Sequence, residues 1–247
     1  MNQNQARLAV LIDADNSQPS IIAGLLDEIA GHGVASVKRI YGDWTDVKLK
    51  GWKNVLLEHG LHPMQQFAYT TGKNATDSAM IIDAMDLLYT KNFDGFCIVS
   101  SDSDFTRLAS RIRESGIKVY GFGEQKTPKS FIGACDKFIY TENLRRTAST
   151  TAPIAPSTAK HDTKALLELV RNAVEDTTNE AGWSYMGAIG QNLINKSPEF
   201  DPRSFGYKKL VDLIEGLGEF EFKYSDPLSG SQSIHVRLKR KKRSYEK

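Results

Sequence analysis

Leu8-Ala9-Val10-Leu11-Ile12 runs straight into Asp13-Ala14-Asp15-Asn16, and Gly95-Phe96-Cys97-Ile98-Val99 runs into Ser100-Ser101-Asp102-Ser103-Asp104. A short apolar run bounded by polar residues reads as a strand buried on both faces, the kind found in a parallel sheet. In open α/β sheets the ligand site lies beyond the carboxyl ends of the strands, where both acidic clusters fall. Between them, Asn74-Ala75-Thr76-Asp77 opens a helix-like segment. Several carboxylates converging without Cys or His form a hard, all-oxygen donor set. Such a set suits Mg²⁺ or Mn²⁺ and phosphate-ester chemistry.

Outward from these runs, strands and helices alternate. Arg7–Asp13, Ser36–Tyr41, Leu61–Phe67, Gly95–Ser100, Lys118–Phe122 and Lys137–Tyr140 read as strands. Pro19–Ala30, Lys50–Glu58, Asp77–Tyr89 and Phe105–Glu114 carry helical periodicity. Alternation of this kind predicts an α/β domain with a mostly parallel sheet covered by helices on both faces. The stretch from Thr147 to Ala159 is Ser/Thr/Ala/Pro-rich and has almost no large apolar residue, so it reads as a linker. The expected organisation is a first domain over residues 1–146, a flexible linker over 147–163 and a second domain over 164–247. In the second, Lys164–Val174, Ser184–Asn195 and Ser204–Leu217 read as helices. Phe220–Tyr224 and Ser233–Leu238 then alternate as a hairpin with a longer loop. Three helices followed by a hairpin is the order of a small winged helix.

Composition narrows the function classes. The 247 residues are 40% hydrophobic and 25% charged with a net charge of +2, so any nucleic-acid affinity must come from local patches. Cys97 and Cys135 both lie in apolar contexts, which predicts buried thiols rather than a disulfide framework. The amino terminus lacks the basic start and apolar core of a signal peptide, and no apolar run approaches membrane-spanning length. A soluble cytoplasmic protein that does not engage a membrane is expected. The five histidines are scattered, with no zinc spacing or catalytic pair. The absence of a phosphate loop and of Gly-x-Ser-x-Gly argues against ATP hydrolysis and acyl transfer.

Each acidic residue has a bland reading beside the functional one. Ser103 or Asp104 suits the cap of the helix starting at Phe105, Asp77 is a first-turn acid favoured by the helix dipole, and Asp15 or Asn16 suits a cap for Pro19–Ala30. Asp13 shifts the balance, because adjacent parallel strands would bring it close to Asp102. Two uncompensated carboxylates at that spacing repel and raise each other's pKa, and a cation is the simplest resolution. Asn16 would support a bound oxygen ligand. Asp83, on another face of its helix, ranks as supporting or structural.

Leu11-Ile12-Asp13-Ala14-Asp15-Asn16, Ile40-Tyr41-Gly42-Asp43-Trp44, Thr76-Asp77 and Ser101-Asp102-Ser103-Asp104-Phe105 occur in that order and at suitable spacing. Together they resemble the NYN domain of the LabA-like subgroup, a branch of the PIN-like nucleases, over about Arg7 to Tyr140. The resemblance implies a Rossmann-like fold with a central parallel sheet, a divalent-metal site and endoribonuclease activity. Its acidic set falls on Asp13, Asp77, Asp102 and Asp104, with Asn16 and Asp83 in support. Ser101 stands where that family commonly has Gly, and Asn74-Ala75-Thr76 where it has Lys-Gly-Val. Lys73 is left as the nearest cation.

Gly182-Trp183, Ile189-Gly190, Phe200-Asp201-Pro202, the run from Phe205 to Leu210, Leu213-Ile214 and the strand Ile234–Leu238 resemble a LOTUS, or OST-HTH, domain. That resemblance implies RNA binding, and because some members bind proteins instead, a protein is the alternative partner. Arg237, Lys239, Arg240, Lys241, Lys242 and Arg243 crowd the carboxyl end, where Lys and Arg would meet phosphate; a solvated tail is the bland reading. Lys208 and Lys209 would do similar work at the start of a helix. Trp183 and Tyr207 read as core. In the first domain, Trp44, Lys48, Lys50, Trp52 and Lys53 suit either single-strand binding or an amphipathic helix with Trp52 buried.

The expected function is a metal-dependent endoribonuclease carrying a tethered RNA-binding winged helix. Mg²⁺ or Mn²⁺ would activate water and stabilise the phosphate, with no placed His needed as a base. Two rivals stand beside it. One is a non-catalytic RNA-binding or regulatory adaptor. The other is a haloacid-dehalogenase-type phosphatase using Asp13 and Asp15, which lacks a Ser or Thr ending strand two and has Thr106 where it wants a carboxylate.

Overall fold

Every residue of Arg7–Asp13 (β1) after Arg7 is buried, and so is every residue of Gly95–Val99 (β4). Strands apolar on both faces are stable only between two layers, and these two lie side by side at the centre of the sheet. The computed structural model describes residues 5–67, 75–147, 163–225 and 233–239. The chain divides into two compact units, Met1–Ala152 and Pro153–Lys247. In the first, Val34–Gly42 (β2), His62–Gln65 (β3), Lys118–Gly123 (β5) and Lys137–Tyr140 (β6) complete a six-stranded sheet. Its order is β3-β2-β1-β4-β5-β6, and every pairing is parallel.

Alternation along β1 splits the core in two. Ala9 and Leu11 pack with Ala75–Tyr89 (α3), Thr106–Glu114 (α4) and Lys129–Ala134 (α5). Leu8, Val10 and Ile12 pack with Ile22–Ala30 (α1), Trp52–His59 (α2) and Thr141–Thr147 (α6). Asp13 continues the Ala9 and Leu11 parity, which sets it on the α3 side. Three expected helices enter through a 3-10 turn, at Pro19–Ile21, Val47–Gly51 and Ser103–Phe105. The turn tightens the entry where backbone donors lack intrahelical partners. The chain reverses its direction of sheet growth between β1 and β4, and the crevice at that point is where the acidic strand ends meet.

The second unit has its own core, centred on Val170, Ile189, Leu193, Leu213, Ile214 and Val236. Thr163–Asp176 (α7), Ser184–Tyr185 (β7), Met186–Lys196 (α8), Leu210–Gly216 (α9), Phe220–Tyr224 (β8) and Ile234–Leu238 (β9) build a winged helix. Its antiparallel sheet runs β7-β9-β8. Two expectations change here. Ser184 and Tyr185 leave the predicted helix to pair with Val236 and His235. The predicted helix Ser204–Leu217 breaks at Gly206, whose φ of 87° lies in the left-handed region, so only Leu210–Gly216 is α-helical. No helix among the described residues is long and apolar enough to cross a membrane.

Candidate metal centre at the strand ends

Asp13 ends β1 with no exposed surface, and four donors surround its carboxylate. Oδ1 accepts from the backbone N–H groups of Asp15 at 3.0 Å and Asn16 at 3.3 Å. Oδ2 accepts from Asn16 Nδ2 at 2.8 Å and from Ser100 Oγ at 2.8 Å. Burial pushes this carboxyl above its ordinary value while the Asn16 and Ser100 hydrogen bonds pull it down. Asn16 therefore holds Asp13 in place. Neither Asp15 nor Asn16 caps the following helix, whose 3-10 entry begins after Gln18.

Ser100, not Asp102, stands beside Asp13. The parallel register pairs Ile12 with Val99, and β4 ends there. The Ser100 hydroxyl donates to Asp13 and accepts from the Asp102 N–H at 3.1 Å, so one side chain ties the end of β1 to the following turn. Asp102 then caps the short helix at Ser103–Phe105, its Oδ1 accepting from the Asp104 N–H at 2.9 Å. The expected capping role thus falls on Asp102 rather than on Ser103 or Asp104. Ser101, where the resembled family commonly has Gly, is buried and accepts from the Glu124 N–H at 2.8 Å, fastening the exit of β5.

Asp77 lies in the first turn of α3. One carboxylate oxygen from each of Asp77, Asp102 and Asp104 falls within 4.8 Å of the other two; the first two are half-buried and Asp104 is exposed. Burial, reinforced by the charges of Asp13, Asp102, Asp104 and Asp15, pushes the Asp77 carboxyl up to about 6. Among the predicted four, the structure brings three into a single oxygen cluster and leaves Asp13 as a hydrogen-bonded charge that repels Asp77. Three oxygens at this separation match a hard divalent cation in donor type, and their repulsion is what such a cation relieves. The buried, saturated Asp13 also makes a poor nucleophile, which weighs against the phosphatase rival.

Asp83 takes a different part. It accepts from the Arg39 guanidinium and the Tyr41 hydroxyl, pinning α3 to β2. Burial and then the bond to Asp83 push the Tyr41 phenol up. The acidic field is wider than the motif. Asp15 is raised by burial and by the charges of Asp13, Asp46 and Asp43, and it bonds the Thr76 side chain. Asp43 and Asp46 follow β2, and the signal for them was again a carboxylate beyond a parallel strand end.

The expected cations fare unequally. Lys73 and Arg240 to Arg243 lie outside the described residues. Lys208 and Lys209 are exposed just before α9. Arg237 is committed within the domain, ion-paired to Glu221 at 2.6 Å with its guanidinium 4.4 Å over the Trp183 ring. Lys239 donates to the Gly218 carbonyl at 2.6 Å. Lys48, Lys50 and Lys53 are exposed while Trp52 is buried, the amphipathic arrangement. Trp44 donates its indole N–H to the Met64 carbonyl at 3.1 Å.

Among solved structures, a protein of unknown function from Vibrio parahaemolyticus is 20% identical with a TM-score of 0.47, over 57% of this chain and 95% of its own. An uncharacterized protein from Nitrosomonas europaea is 27% identical with a TM-score of 0.30, over 40% of this chain and 98% of its own. No curated protein matches the chain. The family model of the OST-HTH/LOTUS domain matches residues 158–227. The family model of the NYN domain matches residues 7–144, which take in more than half of the chain and every carboxylate of the strand-end cluster, and the chain therefore belongs to the NYN-domain family.

Proposed function

We propose that this protein is a metal-dependent endoribonuclease that hydrolyses RNA phosphodiester bonds at the ends of β1 and β4, with its winged helix as a tethered RNA-binding module. The two matched domains give the chain a nuclease-like, RNA-associated role. The observation that carries the finer reading is the convergence of Asp77, Asp102 and Asp104 oxygens within 4.8 Å at the carboxyl edge of a parallel sheet. Those three would hold Mg²⁺ or Mn²⁺, with Asp13 adding fixed negative charge nearby. A cation bound there supplies Lewis acidity to the attacking water and the scissile phosphate.

The remaining work belongs to the chain. Ser100 and Asn16 hold Asp13 in one orientation, and the Asp102 cap fixes the turn that carries Asp104. The Asp83 contacts to Arg39 and Tyr41 anchor α3, so that Asp77 meets the turn at a set distance. Tethering raises the local concentration of RNA at the cluster. Domain limits of 1–146 and 164–247 around a linker are part of this reading, and a cytoplasmic setting suits two buried free thiols. The test is purified protein with labelled single-stranded and hairpin RNA in Mn²⁺, Mg²⁺ or EDTA. Metal-dependent cleavage supports the reading, and binding without cleavage in any metal establishes the adaptor instead.

A further inference from the structure

The outer face of the three-stranded sheet carries side chains that its core does not use. Phe220, Phe222, Ile234, Val236 and Leu238 pack into the core, so alternation along β8 and β9 sends Glu221, Lys223, His235 and Arg237 to the other face. Tyr185 stands opposite His235, and His235 opposite Lys223, one residue from each strand. The Tyr185 and His235 ring centroids are 5.9 Å apart with their planes tilted by 54°, and Tyr185 is 52% exposed. Its ring lies against Gly187: a Cβ there would stand 2.6 Å from Tyr185 Cε1, so the ring occupies space that any side chain at 187 would take. Two pairings further along, Glu221, Arg237 and Trp183 close that end of the face on one another. Lys223 is exposed and has no carboxylate partner among the described residues.

A half-exposed phenol ring beside an imidazole, with a cation on the neighbouring strand, meets single-stranded nucleic acid in two ways. Rings stack bases whatever their sequence, and the ammonium meets the backbone. Protein interfaces are enriched in Tyr but depleted in Lys, so it is the exposed Lys223 ammonium that favours the nucleic acid. We infer that Tyr185, His235 and Lys223 form a base-stacking platform for single-stranded RNA on the outer face of the wing sheet. The platform is separate from Lys208 and Lys209 and deepens the RNA-binding half of the proposed function.

The experiment uses the full chain in EDTA with labelled single-stranded RNA, either normal or with an abasic ribose backbone. The wild type should prefer the base-bearing strand, and Tyr185→Ala should cut that preference about tenfold while leaving the abasic affinity unchanged. Tyr185→Phe should retain the preference, Gly187→Ala should reduce it with the tyrosine still present, and Lys223→Gln should weaken both RNAs alike. Thermal melts establish that each variant is folded. An unchanged preference in folded Tyr185→Ala, or a wild type that does not distinguish the two strands, overturns the platform. Cleavage of the same RNA in Mn²⁺ is read in parallel. Cleavage without a Tyr185-dependent preference removes the platform alone, whereas absence of both binding and cleavage removes the functional reading with it and leaves the face to a protein partner.

Discussion

Asp77→Asn should make the metal-free protein more stable. The Asp77 carboxyl is pushed from an ordinary 3.8 to about 6 by burial first and then by four neighbouring carboxylates. A pKa raised by folding means that the fold favours the protonated form. The stability linked to that proton is therefore full below about pH 4 and is lost as pH rises through about 6. A shift of roughly two units corresponds to about 3 kcal/mol at about 1.36 kcal/mol per unit, and this is a ceiling. Asp77 is half-exposed, so solvent screening reduces the figure to about 1 kcal/mol. For the first domain that amounts to a rise of roughly 2–6 °C in melting temperature. The assay is a thermal melt of wild type and variant in EDTA at pH 7.5 and again at pH 4.5, where the advantage should shrink. Excess Mn²⁺ should then reverse the order, because the wild type gains about 2.7 kcal/mol at a hundredfold excess over Kd and the variant loses a ligand. A variant that melts at or below the wild type in EDTA at pH 7.5, or that keeps the whole Mn²⁺ shift, would refute the argument.

The same exchange at Asp13 should act in the opposite direction. Burial raises the Asp13 carboxyl too, but Asp13→Asn turns an amide NH2 toward four hydrogen-bond donors, so at least one buried donor loses its acceptor, and the metal-free domain should lose about 1–3 kcal/mol in urea unfolding. Asp102→Asn should abolish cleavage while leaving RNA affinity and fold near normal, since Asn caps helices as well as Asp; full RNase activity in this variant would end the assignment of Asp102 to the metal centre. Limited proteolysis within residues 150–160 should release two pieces that melt independently, because each unit has its own core. A single shared transition before cleavage that vanishes after it would contradict that.

Much of this architecture was legible because burial on both faces leaves little choice of residue. The apolar runs of β1 and β4 could belong only to central strands, and the acids at their ends could lie only at the carboxyl edge. The finer geometry was not. The register sets Ser100 opposite Asp13, a fact that depends on where β4 stops rather than on which residues it contains. The six-residue helix Lys129–Ala134 is too short to show a period. β7 is held by pairing to a strand some fifty positions later, which a local window does not see. Arg237 reads as a free phosphate contact in a basic run, yet Glu221 across the ladder and the Trp183 ring claim it.

The placement of β1 between β2 and β4 has a consequence for synthesis. Gly95 begins β4 at a point 88 residues after Arg7 begins β1. At about 5–20 residues per second, the ribosome takes roughly 4–18 s to deliver the second neighbour of a strand already made. Throughout that interval Leu8 to Ile12 present an unpaired, wholly apolar edge, the kind of template to which other nascent chains pair. The strand that carries Asp13 thus needs cover while those residues are made, and slowing translation before residue 95 should lower the soluble yield more than slowing it afterwards.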